Sequence, residues 1–147
     1  MTRQQKTVEK ILELKEFNTE QLEAETRNAG RRLNAEEERL AQLELECRDR
    51  SDDFCRKQTE ETIAVHEMDV YYTYLKHLGK LIEKQKGLVA VRAAELDERR
   101  RAMVAAYQEQ RLLEKLQDKM LHARAREAAQ SEQKQADYQF LTRKGMK

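Results

Sequence analysis

The chain has 147 residues, of which Ala, Glu, Lys, Arg and Leu supply 83, with four Gly and no Pro. That is the composition of a long helix or coiled coil, and it excludes sandwiches, barrels and glycine-rich nucleotide-binding folds, which need turn residues at short intervals. A mean hydropathy of −1.00 permits a narrow apolar seam rather than a broad core, and a net charge of +1 gives no general attraction to nucleic acid or anionic lipid.

The opening stretch, MTRQQKTVEK, is polar, and no apolar run is long enough for a transmembrane helix or a signal-peptide core. A cytoplasmic location is expected. A first helix is predicted over about residues 3–55. Val8, Ile11, Leu12, Leu14 and Phe17 are apolar but fit a heptad poorly. The heptad is clear from Leu22 onward. Leu22, Ala29, Glu36, Leu43 and Arg50 interleave with Thr26, Leu33, Leu40, Cys47 and Phe54 on one helical stripe. Glu36 and Arg50 predict a partly wet seam.

A reversal is expected at about residues 55–62. Ser51, Asp52, Asp53, Thr59 and Thr62 compete there for backbone hydrogen bonds, and Thr59 or Thr62 would cap the next helix. The second helix is predicted over about 63–143. Tyr71, Leu78, Gln85, Arg92 and Arg99 interleave with Leu75, Ile82, Val89, Leu96 and Met103. Ala106, Leu113, Leu116, Met120 and Ala123 follow, and the step from Leu113 to Leu116 reads as a stammer. The reading is all-α: a long antiparallel two-helix coiled coil, or helical hairpin, with the second helix longer and one domain over 1–147. The net charges of residues 1–62 and 63–147, −4 and +5, suit opposed arms weakly. One unbroken helix is the rival; it would span roughly 220 Å and need a partner throughout. A reversal near residue 58 sets residue 3 beside about residue 113. Residues 114–147, of net charge +3, then overhang.

Nothing in this pattern calls for catalysis. His66, His77 and His122 lack metal-pair spacing, Cys47 and Cys55 are eight apart, and no phosphate-loop, dinucleotide or zinc-protease motif occurs. Neither an enzyme nor a metal or other cofactor is expected. Arg99, Arg100 and Arg101 follow Glu95, Asp97 and Glu98, so intrahelical ion pairs account for them before a phosphate patch does. Tyr74 and Leu81 lie seven apart, beside the seam that Tyr71, Leu75, Leu78 and Ile82 occupy. They either widen the seam or form a docking stripe.

Three stretches resemble the FliJ family of flagellar type III export. YYTYLKHLGKLIEKQKGL is similar to the opening of that family's second helix, and RRAMVAAYQEQRLLEKLQDKM to its basic, alanine-rich region ending in LEKL. SEQKQADYQF resembles its closing acidic element through Glu132, Lys134 and Asp137, with Tyr138 where the family has an acid.

The resemblance implies a non-enzymatic stalk, similar to the central shaft of rotary ATPases. Its expected partners are a hexameric export ATPase, the cytoplasmic domain of the export gate protein and export chaperones. It implies no nucleic acid, and membrane association only through partners at the inner face of the cell membrane. Gate contact falls on Tyr74 and Leu78, the family's aromatic and leucine one turn apart, and Leu81 is added from the residues themselves. Where the family has a small residue and a His, this chain has Leu81 and Gln85. ATPase binding is assigned to the end bearing both termini, through Val8, Ile11, Leu12, Lys119, Arg124 and Lys134. The alternatives are a generic coiled-coil scaffold or adaptor, an injectisome stalk protein, and a nucleic-acid-binding hairpin using the +5 half.

Overall fold

The computed structural model describes residues 2–60 and 63–145. They form two helices, α1 (Arg3–Glu60) and α2 (Val65–Gly145), with no strand among them. The fold is the antiparallel helical hairpin with the longer second helix.

A capping box starts α1. The Gln5 amide donates to Thr2 Oγ1 at 3.2 Å, and the Thr2 amide donates to Gln5 Oε1 at 3.1 Å. The helix runs past the expected end at 55 to Glu60. The polar residues that were to break it bond within it instead. Asp53 pairs with Arg50 and Arg56, and the Thr59 hydroxyl donates back to the Cys55 and Arg56 carbonyls. Thr59 is therefore not a cap of α2, and Thr62 lies outside the described residues. Ile63 and Ala64 are non-helical, and the Met68 amide donates to the Ala64 carbonyl at 3.2 Å as α2 begins.

The chain divides into two compact units, Leu22–Met103 and Met1–Gln21 with Val104–Lys147. In the first, Ala29, Leu43, Leu78 and Leu96 are buried, and Leu33, Leu40, Leu75, Ile82 and Met103 are half-buried. Each lies on the heptad stripe. A fully buried Leu contributes about 1.5–3 kcal/mol, so this single stripe is the main source of stability. The seam is wet in the middle. Gln85 Nε2 donates to the Glu36 carbonyl at 2.9 Å and also to its carboxylate, and Arg99 reaches Glu25 at 3.0 Å. Arg50, the other expected seam exception, is exposed. Phe54 and Tyr71 meet with ring centroids 5.3 Å apart, and the Lys57 ammonium lies 5.1 Å over the Tyr71 ring.

In the second unit the heptad continues toward the N-terminus through polar residues. Leu12 and Thr19 are buried and Val8 and Lys15 half-buried, whereas Leu14 and Phe17 face solvent. Thr19 fits the seam because its hydroxyl donates to the Lys15 carbonyl at 2.8 Å. On α2 the stripe is Ala106, Gln110, Leu113, Gln117 and Met120, an unbroken four–three alternation. The expected stammer is absent. Two glutamines hold the positions that Leu116 was to share, and Leu116 is 46% exposed. Ala123 is exposed as well.

The pairing also differs from expectation. Lys15 Nζ sits 2.8 Å from Glu109 Oε2, and Arg124 bonds Gln5. The midpoint of the Lys15–Glu109 pair is residue 62 rather than 58. Each residue of shift in a reversal moves every cross-helix partner by two. The first arm therefore reaches Arg124 rather than stopping near 113, and the uncovered part of α2 is shorter than 114–147. Every described residue from 121 to 145 is exposed.

Candidate partner-binding faces

The gate-contact candidates lie in the Leu22–Met103 unit. Leu78 is 2% exposed, the deepest residue of the seam, so it packs against α1. Tyr74, one turn earlier, is 37% exposed and its hydroxyl donates to the Glu46 carboxylate. That hydrogen bond, followed by partial desolvation and the Glu46 charge, raises the Tyr74 pKa above its usual 10.0. Leu81 is half-buried on the same flank. Leu88, a further seven residues on, is 37% exposed and extends the stripe. The sequence reading missed Leu88, although its spacing from Leu81 was the signal.

A shallow apolar depression adjoins Tyr74 on the outer face of α2. His66, Asp69, Val70, Thr73, Tyr74 and His77 line about 440 Å³ there. Val70 is 56% and Tyr72 68% exposed, so the first turns of α2 present more apolar area than the seam consumes.

The ATPase-contact candidates lie in the other unit, and the structure sorts them. Leu12 is 8% exposed and belongs to the seam, Val8 is half-buried, and Ile11 is 39% exposed. A cleft of about 390 Å³ opens beside Val8, with Arg3, Gln4, Thr7 and Met120 as its other walls. Lys119, Arg124 and Lys134 are exposed, and Arg124 is anchored to Gln5. Val8, Met120 and the Arg124–Gln5 contact thus gather at the end of the hairpin, while Lys134 stands on uncovered helix.

Among the described residues, no group of three His, Cys, Asp or Glu side chains could hold a metal, and no helix is long and apolar enough to cross a membrane. Cys47 and Cys55 are unpaired thiols.

No curated protein and no solved structure matches the chain. A family model described as "Flagellar FliJ protein" matches residues 4–141, which takes in nearly all of both helices. By that match the chain belongs to the FliJ family, and it is a component of the flagellar protein export apparatus.

Proposed function

We propose that the protein is a non-catalytic stalk that couples the hexameric flagellar export ATPase to the cytoplasmic domain of the membrane export gate protein. It works in the cytoplasm and reaches the inner face of the cell membrane through these partners, with export chaperones as further partners. Membership in a flagellar family favours this reading over an injectisome stalk or a generic scaffold. The observation that carries the gate contact is the contrast within one turn of α2. Leu78 is consumed by the seam, whereas Tyr74 stays accessible beside Leu81. Tyr74 and Leu81 then touch the gate, and Leu78 fixes the turn that presents them. The ATPase contact is assigned to the hairpin end holding Val8, Ile11, Lys119 and Arg124 and to the helix beyond it, with Leu12 supporting from the seam.

The test is the double variant Tyr74→Ala/Leu81→Ala. It should keep its helical circular dichroism and bind the gate fragment at least about tenfold more weakly, since accessible aromatic and leucine anchors dominate such contacts. Loss of the helical signal would assign both residues to the fold, and unchanged gate binding would move the contact elsewhere.

A further inference from the structure

In the unit formed by Met1–Gln21 and Val104–Lys147, the two flanks of the seam differ in chemistry. The cleft beside Val8 marks one flank through Gln4 and Thr7. One heptad along α1 from these two come Ile11 and Leu14, on the same face of the helix. On α2 the Lys15–Glu109 ion pair marks this flank. One heptad on from Glu109 is Leu116, with Leu112 one turn before it. All four apolar side chains are exposed: Ile11 by 39%, Leu14 by 69%, Leu112 by 67% and Leu116 by 46%.

The charges divide in the same way. Lys119 lies on this flank, Arg3, Lys10 and Lys115 border it, and Glu109 is neutralised by Lys15. The opposite flank gathers Glu9, Glu13, Glu16, Glu114 and Asp118, with Lys6 and Arg111 among them and Val104, Tyr107 and Leu121 exposed at its ends. One side of this hairpin end is therefore apolar with a basic border, and the other is mainly acidic. Neither feature belongs to the seam of this unit, which buries Leu12 and Ala106.

We propose that this apolar, base-bordered flank docks an acidic amphipathic helix of a partner protein. The stripe of that helix lies against Ile11, Leu14, Leu112 and Leu116, and its carboxylates face Lys10, Lys115 and Lys119. Two parallel rows of leucine-type side chains form the groove that an amphipathic helix fills, and the basic border selects the sign of its charge. A second copy of this chain fits poorly. Its matching flank would set bases against bases, and on its acidic flank the exposed Val104 and Tyr107 are parted from Leu121 by Arg111, Glu114 and Asp118, so that flank offers no continuous apolar stripe. The inference deepens the stalk reading, resting on it only for the partner's identity.

The experiment uses the full chain and a synthetic amphipathic peptide of about 18 residues, with leucines at i, i+3, i+4 and i+7 and glutamates elsewhere. A counterpart carries lysine for glutamate. The acidic peptide should bind, measured by fluorescence anisotropy, and the basic one should not. Leu112→Gln/Leu116→Gln should weaken binding at least about tenfold. Lys115→Glu/Lys119→Glu should weaken it strongly at low salt and less at high salt. Failure of the acidic peptide to bind, equal binding of both peptides, or indifference to the leucine variant overturns the inference. So does self-association, seen by sedimentation, that the leucine variant abolishes. ATPase-ring binding is measured separately on the same proteins. A chain that binds the ring but not the peptide sinks this inference alone, and one that binds the peptide but not the ring sinks the stalk reading.

Discussion

Tyr74 is tied to the first helix by one exposed hydrogen bond. Its hydroxyl donates to Glu46, yet more than a third of the residue stays in solvent. The neutral phenol is the form that donates, and ionisation would place two negative charges together. The Tyr74 pKa is accordingly raised above 10.0, first by that hydrogen bond and then by desolvation. The sign of the stability effect follows. A group whose folded pKa is raised stabilises the fold fully below its unfolded value of about 10, and the contribution is lost as pH rises through the higher folded value. Glu46→Gln should bring the Tyr74 titration, followed by NMR of the tyrosine Cζ, back down toward 10. A midpoint unchanged by that substitution would show that Glu46 is not the cause. At neutral pH the effect on stability should be slight, because an exposed hydrogen bond competes with water. That leaves Tyr74 available for a partner at small cost to the hairpin.

The helices were legible in the sequence because heptad spacing is a strong signal over many turns. Leu33, Leu40, Leu43, Leu75, Leu78, Ile82, Leu96 and Met103 were all expected on the seam, and all are buried or half-buried there. The failures came where polar residues hold seam positions. Lys15, Thr19, Gln110 and Gln117 keep the four–three alternation, but apolarity alone points to Leu14, Phe17 and Leu116 in their place. A lysine can sit there because its stem packs while its ammonium reaches Glu109. The reversal was misplaced for a related reason. Asp53 and Thr59 are turn formers by propensity, yet ion pairs and back-bonding to the helix satisfied them inside α1. Among the candidate site residues, exposure could not be read from sequence for Leu78, whose heptad position and expected gate contact point in opposite directions. The seam assignment is tested by a contrast. Leu78→Ala should lower stability by about 2–4 kcal/mol in urea unfolding, and Leu116→Ala by less than about 0.5 kcal/mol. Equal costs would restore the stammer and refute the glutamine-bearing seam.

At the scale of the whole molecule, the open question is what the uncovered part of α2 is for. Every described residue beyond Met120 is exposed, and Tyr138, Phe140 and Leu141 are each more than 60% exposed. A solvated helix of this length without tertiary packing is marginal by itself, since stability normally comes from burying one face. Its sequence is rich in alanine and poor in breakers, so propensity favours the helix without supplying a core. The charge beyond Arg126 is close to balanced, with Lys134, Arg143, Lys144 and Lys147 against Glu127, Glu132 and Asp137. Electrostatic attraction alone is therefore a weak reason for a partner to bind it, and shape is the better candidate. On the proposed stalk reading, a single helix about 10–12 Å across would enter an axial opening of the ring that a wider body could not. Truncation after Arg126 keeps the Gln5–Arg124 contact and the whole described seam. The shortened chain should retain its unfolding midpoint and its binding to the gate fragment, and should lose stimulation of the ATPase ring. Ring binding and stimulation at full strength would show that the hairpin end acts without the helix beyond it. A fall in the unfolding midpoint would show instead that this helix stabilises the fold, against its complete exposure here.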